Sequence, residues 1–406
     1  MDYPREKLYN RPLSGMIINV TDACNLKCRY CFTKENPAYM ELDTGVQAIN
    51  WFIAENEKRK LEKYPTRLTI SFFGGEPTLH WDDFIFPLIN YVEEYINPNY
   101  KEKYDIHFSC TTNGQLLNEE RIKWFIEHKG SFLLSIDGNK ETQNYNRPRK
   151  DGKDSFEQIN KNIDILLKYQ PDLTFRSTIT PEMCHNLFSD YLFARERGFL
   201  NWFAIPNVRQ EWPQDKINIL EEQMHLIAGC VLRDIEKEQF PLSFNWLNKM
   251  IKLLFSNAPQ KPHYMRCGLG TTSIGVATDG SLSACQENST YHDENNLFYI
   301  GDIWNGINEE RHLKLLKYYN GENKIYCNNE CEKCYISHIC QSISCPSTNY
   351  ALTGSPLNRP RAMCDWLRIL YNVASNLVLN AAELDSDNFI NFIQSNIEFN
   401  KKEEEE

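Results

Sequence analysis

Met16-Ile-Ile-Asn-Val-Thr-Asp-Ala-Cys24-Asn-Leu-Lys-Cys28-Arg-Tyr-Cys31-Phe32 is an apolar run that feeds straight into three cysteines spaced C-x3-C-x2-C. The run Met16–Val20 predicts a short buried strand. Three thiolates on one short loop can hold three irons of a cubane [4Fe–4S] cluster, and the fourth iron then has no ligand from the loop. An iron left open can bind and reduce a small molecule, whereas four-cysteine ligation serves electron transfer or structure. A zinc site would want a fourth protein ligand.

Downstream, the same strand-then-loop pattern repeats. Leu68–Phe73 runs into Gly74-Gly75-Glu76-Pro77, His107–Thr112 into Asn113-Gly114, and Phe132–Ile136 into Asp137-Gly138. Thr174–Ile179 ends at Pro181 and Trp202–Ile205 at Pro206. Helices are expected between them. Leu42–Leu61 is one; Ile217, Leu220, Met224, Ile227, Val231 and Ile235 mark another by their spacing of three and four. Asp154 or Ser155 can cap a helix carrying Ile159, Ile163 and Leu166. Six βα units predict an α/β fold whose parallel sheet curls into a partial or full barrel, with its site in the loops after the strands.

The 406 residues allow two domains, or one barrel with an appendage. A formal charge of −11 argues against nucleic acid as a partner. The fourteen cysteines come with no signal peptide and no long apolar run, which points to a reducing cytoplasm and away from a membrane. There, clustered cysteines are read as metal ligands. Cys110, Cys184 and Cys230 are scattered and read as buried thiols. The other eight outside the first loop lie between Cys267 and Cys364, which divides the chain into two functional regions.

In order and on the expected elements, these features resemble the radical S-adenosylmethionine (SAM) enzymes with a C-terminal SPASM extension. The resemblance runs from about Met16 to Leu379. The cysteine loop, with Tyr30 before its last cysteine, matches the defining motif. Gly74-Gly75-Glu76-Pro77, Thr111-Thr-Asn-Gly114 and Ser135-Ile-Asp-Gly138 look like the second, third and fourth strand ends. The implied fold is a partial (β/α)6 TIM-like barrel over 1–239, a linker helix over 240–262, a cysteine-rich SPASM domain over 263–366, and a C-terminal helix and acidic tail over 367–406.

The resemblance implies SAM bound to the open iron held by Cys24, Cys28 and Cys31. Reductive cleavage would give methionine and a 5′-deoxyadenosyl radical, which abstracts a hydrogen atom in a site that excludes water. Gly74 and Gly75 allow close backbone approach, and Glu76 can accept from the SAM ammonium. Pro77 belongs to the same turn, which on its own reads as a tight strand ending. Asn113, Ser135 and Asp137 are candidate partners for ribose or carboxylate, and Tyr30 packs beside adenine or fills core. Arg147 and Arg176 are candidates for a two-pronged carboxylate clamp. Arg147 can equally cap a loop, and Arg176 can be an ion pair inside the barrel.

The second cysteine region reads Cys267-x12-Gly280-x4-Cys285, then Cys331-x2-Cys334-x5-Cys340-x4-Cys345, and finally Cys364. It resembles the seven-cysteine SPASM pattern, with x4 where x3 is usual before Cys345. That implies two auxiliary [4Fe–4S] clusters, three in all. Cys267, Cys285 and Cys345 would hold the first, and Cys331, Cys334, Cys340 and Cys364 the second. A zinc-ribbon-like fold is the alternative. The first set is one cysteine short. Either its iron is open, or Cys327 closes it.

Sulfatase-maturing relatives carry a further cysteine where this chain has Ser273, and an aspartate base where it has Gln286, followed by Glu287. Both departures argue against formylglycine formation. An open auxiliary iron would instead suit a substrate thiolate, and oxidative cross-linking of a ribosomally made peptide to a thioether is the preferred expectation. A carbon–carbon cross-link, sulfatase-type oxidation and small-molecule dehydrogenation are the alternatives; a non-catalytic electron carrier would have no use for a SAM pocket. Expected partners are the peptide and a flavodoxin- or ferredoxin-type electron donor; with only 23 residues before Cys24, leader recognition would fall to the barrel rim, the SPASM region or a separate leader-binding protein. The segment from Asp387 to Glu406, with Phe389, Ile390, Phe392, Ile393 and Ile397, is a candidate amphipathic helix.

Overall fold

The computed structural model describes residues 11–33, 38–59, 61, 63–237, 242–255, 268, 270–289, 295–317, 331–337, 339–340, 345–383 and 391. Cys267, Cys327 and all the apolar residues of the expected tail helix lie outside them.

Alternation in the strands builds the fold. In β1 (Gly15–Thr21), β2 (Thr66–Gly74), β3 (Tyr104–Thr112), β4 (Gly130–Ser135), β5 (Thr174–Ile179) and β6 (Asn201–Pro206), alternate side chains are buried and mostly apolar, Thr112 and Ser177 being the polar members of that face. Met16, Ile18, Leu68, Ile70, Phe72, Ile106, Phe108, Leu134, Phe175 and Trp202 make this outward layer. Each fully buried Leu, Ile or Phe contributes about 1.5–3 kcal/mol relative to exposure. The helices that cover it include α1 (Leu42–Glu57), a helical stretch over residues 77–100, α2 (Glu119–Glu127), α3 (Lys140–Asn146), α4 (Phe156–Tyr169), α5 (Leu187–Glu196) and α6 (Gln214–Glu236). Asp154 caps α4: its carboxylate accepts from Phe156 N at 2.7 Å and Glu157 N at 3.3 Å.

The inward-facing partners, Ile17, Phe73, Ser109, Thr111, Leu133, Arg176 and Ile205, come from six strands yet line one cavity. Flat strands stand about 4.8 Å apart, so six could share a cavity only because the sheet curls around it. Among the described residues the sheet ends are not paired with each other, which leaves the barrel open.

The sheet extends past the six strands expected. The described residues form one eleven-stranded sheet, in the order β11-β10-β9-β8-β1-β2-β3-β4-β5-β6-β7. On one side β7 (Ser243–Phe244) adds to β6, within the segment expected to be a linker helix; the helix there is the shorter α7 (Asn245–Leu254). On the other side β8 (Ser273–Val276) pairs parallel to β1. Antiparallel β9 (Ser281–Ser283), β10 (Tyr299–Asp302) and β11 (Gly306–Ile307) follow. The cysteine-rich region therefore continues the barrel sheet. It goes on with α8 (Glu309–Leu316), α9 (Pro346–Thr353) and α10 (Arg361–Ala382). The last packs Trp366, Leu370 and Val373 into the core, against α6 and α7. No helix among the described residues is long and apolar enough to cross a membrane.

Candidate functional site

The cysteine loop leaves β1 and is held on two sides. Its backbone bonds the end of α3 and the segment after it: Lys27 N donates to Pro148 O at 2.8 Å, Arg29 N to Asn146 O at 2.9 Å, and Lys150 N to Asn25 O at 3.2 Å. Opposite, Gly75 N donates to Thr21 O at 2.7 Å and Glu76 N to Ala23 O at 2.8 Å. Both glycines are needed for that approach. Gly74 has φ +143, and a Cβ on Gly75 would strike the Ala23 carbonyl. The close approach expected of these glycines is thus made by the loop backbone, residues 21–23.

Cys24 and Cys28 are half-buried, Cys31 is exposed, and all three line the cavity, of about 740 Å3. Burial pushes the Cys24 thiol up to about 11 and Cys28 to about 12. Nearby Arg147 works against the shift at Cys28. Thiols so disfavoured as anions become good ligands when a cation supplies the missing charge. Among the described residues no three His, Cys, Asp or Glu side chains meet at a point suited to one metal ion. A cubane asks for something else: each cysteine binds its own iron, so thiols spread around one recess fit it.

Glu76 is buried at the end of β2. Its Oε1 accepts from Thr78 N at 3.1 Å, Thr78 Oγ1 at 2.5 Å and Thr112 Oγ1 at 2.7 Å; Oε2 accepts from Asn113 N at 2.7 Å. Burial raises its pKa against these donors. Glu76 thereby ties the ends of β2 and β3 together while still lining the cavity. Pro77 is buried in the turn that follows and does not line it. Asn113 Nδ2 donates to Asn25 Oδ1 at 2.8 Å, crossing to the cysteine loop, and lies 3.9 Å from Cys24 Sγ. Ser135 borders the cavity.

Asp137 sits differently from the expected ligand position. Its carboxylate lies behind the wall, accepting from Tyr30 Oη at 2.7 Å, Arg147 Nη2 at 3.0 Å and Thr178 N at 3.0 Å. The Asp137–Arg147 pair is almost fully buried, at 0% and 7% side-chain exposure. Arg147 also stacks 5.3 Å from the Tyr30 ring centre. A buried charge needs a partner, and here the two candidate ligands satisfy each other and fix Tyr30. Tyr30 and Arg147 still touch the cavity. Arg176, on β5, does not form the barrel-interior ion pair that was the alternative to a carboxylate clamp. It faces the cavity over the Phe203 ring at 5.7 Å, and its guanidinium makes no hydrogen bond or ion pair to the described residues. Burial and the nearby Arg147 lower its pKa.

The far wall comes from the cysteine-rich region. Gln286, Glu287, Cys345, Thr348, Pro360 and Met363 line it. Glu287 Oε2 accepts from Thr348 Oγ1 at 3.1 Å and Arg209 Nη2 at 3.3 Å, and lies 3.9 Å from Cys345 Sγ. Arg209 and Thr348 were not singled out from sequence. The position of Arg209, just after the sixth strand, was the available signal for it. Cys285 is half-buried, two residues from Glu287.

The second cysteine set converges on the start of α10. Arg359 Nη1 donates to Cys340 Sγ at 3.0 Å, and Arg368 Nη2 to Cys334 Sγ at 3.8 Å. Cys364 lies buried on α10, and its charge acts on Arg368 together with that of Cys334. Cys334 N donates to Cys331 O at 3.2 Å. Arg359 is only 6% exposed. A guanidinium buried against sulfur is best compensated when that sulfur is an anion, as a metal-bound thiolate is. The donor set therefore fits an iron–sulfur group. Cys110, Cys184 and Cys230 are buried, as expected of inert thiols.

Residues 18–185 match the model of the radical SAM superfamily. The cysteine-type anaerobic sulfatase-maturating enzyme of Clostridium novyi (strain NT) is 26% identical over 283 residues, covering 68% of this chain and 74% of that protein. Among solved structures, native anSMEcpe with bound AdoMet and Cp18Cys peptide superposes with a TM-score of 0.70 at 21% identity, covering 92% of this chain and 100% of that one. Streptococcus suis SuiB bound to precursor peptide SuiA gives 0.53 at 16% identity, over 86% and 75%. At these identities the structural likeness speaks for the fold alone.

Proposed function

We propose that this radical SAM protein, whose family domain spans residues 18–185, oxidises a side chain of a peptide by two electrons. One observation carries the reading. A single cavity joins Cys24, Cys28 and Cys31 to a far wall that holds a carboxylate, Glu287, and a cysteine, Cys345. With a [4Fe–4S] cluster on the first three cysteines, bound SAM supplies the 5′-deoxyadenosyl radical that takes a hydrogen atom from the substrate. The residues do the rest. Glu76, Asn113 and Ser135 border the pocket beside the cysteine loop, and Arg176 would offer its guanidinium to the SAM carboxylate. Glu287, seated by Arg209 and Thr348, accepts the proton released as the peptide is oxidised. The peptide-binding relatives, anSMEcpe with Cp18Cys peptide and SuiB with SuiA, support a peptide as substrate.

Two products suit this wall. A thioether cross-link draws on the count of three at Cys267, Cys285 and Cys345, which leaves an auxiliary iron for a substrate thiolate. A formylglycine-type aldehyde draws on Glu287, which supplies the cavity carboxylate that Gln286 cannot, and on the relatedness to cysteine-type sulfatase maturases. Anaerobically reconstituted protein with dithionite and SAM should release 5′-deoxyadenosine; no release would end the enzymatic reading. Mass spectrometry of a co-expressed candidate peptide then separates the products, because only the aldehyde reacts with a hydrazide.

Glu287→Gln should lower peptide oxidation by about 10²–10⁴-fold, the usual worth of a positioned proton acceptor. Peptide-free SAM cleavage should persist. Equal loss of both would assign Glu287 to the fold instead. Arg176→Gln should weaken SAM binding by about 1.5–3 kcal/mol, the worth of a charge-assisted hydrogen bond, or roughly tenfold to a hundredfold. Equilibrium binding to the reconstituted protein reads this directly, and an unchanged Kd would release Arg176 from the SAM pocket.

A further inference from the structure

We propose that Arg359 and Arg368 raise the reduction potential of the iron–sulfur group held by Cys331, Cys334, Cys340 and Cys364, making that set the electron sink of the enzyme. The inference rests on the reading of these cysteines as cluster ligands.

The two cysteine sets differ in what donates to their sulfurs. In the N-terminal loop, Cys24 Sγ meets neutral donors, Leu26 N at 3.4 Å and Asn113 Nδ2 at 3.9 Å. Two cations act here without donating to a sulfur: Lys150 on Cys24, outweighed there by the Glu76 carboxylate, and Arg147, itself paired with Asp137 at 3.0 Å, on Cys28. In the C-terminal set, guanidinium groups donate directly to two of the four sulfurs. Reduction adds one negative charge to a cluster. Cationic donors on its sulfurs stabilise that charge, and neutral or acidic surroundings do not. The C-terminal set is thereby poised to accept an electron, and the N-terminal set to be a strong donor.

Placement agrees with this role. Pro360 and Met363, the sequence neighbours of Arg359 and Cys364, line the cavity, so Arg359 and Cys364 adjoin the substrate wall. Two-electron oxidation of a substrate carbon removes one hydrogen atom, one proton and one electron. The abstracting radical takes the first, Glu287 the second, and this set the third.

The two arginines should not contribute equally. Arg359 is the more buried and lies closer to its sulfur. Arg368 also donates to Asp365 Oδ1 at 3.1 Å, which offsets part of its charge.

The test is an anaerobic redox titration of the reconstituted full chain, followed by electron paramagnetic resonance, with iron content measured alongside. Arg359→Gln should lower the midpoint of the C-terminal centre, Arg368→Gln should lower it less, and the N-terminal midpoint should stay put. Arg359→Lys should recover most of the shift. Retained iron with an unmoved midpoint in both glutamine variants overturns the proposal. Should Arg359→Gln shed its iron, Arg368→Gln decides alone: a fall supports the proposal and no change overturns it. Wild-type iron near four per chain, one cluster's worth, would instead remove the underlying cluster reading.

Discussion

Gly75→Ala is expected to strip iron from the Cys24–Cys28–Cys31 loop and to abolish SAM cleavage while leaving the barrel folded. The new methyl group would strike the carbonyls of Ala23 and Asp22, which are backbone and cannot rotate away. Overpacking of this kind costs about 1–3 kcal/mol, and the loop relieves it by moving. Cys24 follows Ala23 directly, so the thiol moves as well. A displacement of about 1 Å at a reacting centre can cost about a hundredfold in rate. Iron per chain after reconstitution and 5′-deoxyadenosine release are the readouts. Gly229→Ala is the control: it lies within α6, where a Cβ would meet only Arg233 Nη1 at 3.8 Å. There alanine should be neutral or stabilise by up to about 1 kcal/mol. Wild-type iron and activity in Gly75→Ala would refute the packing account.

Asp137→Asn should produce the largest loss of fold stability among single substitutions at the site, about 3–5 kcal/mol. That is the usual cost of leaving one member of a buried ion pair without its partner. Arg147 would keep its charge in a site with 7% side-chain exposure, while an amide at 137 still accepts from Tyr30 or Thr178 N. Removing both charges should do less harm. In Asp137→Asn/Arg147→Met the guanidinium is gone, and apolar replacements of buried pairs are often neutral. Urea unfolding of the metal-free protein measures both. An Asp137→Asn midpoint equal to wild type would mean that Arg147 finds another counter-charge, and the pair would lose its structural role.

Much of the fold was legible because strands bury one face. Thr174–Ile179 coincides with β5 residue for residue, and the other five expected strands fall within their observed bounds but for Ile136, just past β4. What could not be read depends on distance or brevity. β7 has two residues and so no periodicity. β8 pairs with β1, Gly15 beside Ser273, across a separation no local pattern encodes. At the site, Gly74 and Gly75 mark a close approach, and the approaching group is the cysteine loop itself. Asp137 and Arg147 have the residue types of ligands, but buried charges seek each other first, and only the fold shows which partner is within reach. Glu287 was noted as a carboxylate one position late; that it still reaches the cavity follows from the turn after β9.

β1 also has a history during synthesis. It acquires β2 as a neighbour within the first eighty residues, but its other edge stays bare until Ser273 has left the ribosome. Through that interval the strand carrying Met16, Ile18 and Val20 offers unpaired backbone groups beside a long apolar surface, the usual template for intermolecular pairing. The C-terminal region therefore acts as a late seal on the nascent barrel. A chain truncated before it would carry its three-cysteine loop on an open, aggregation-prone edge.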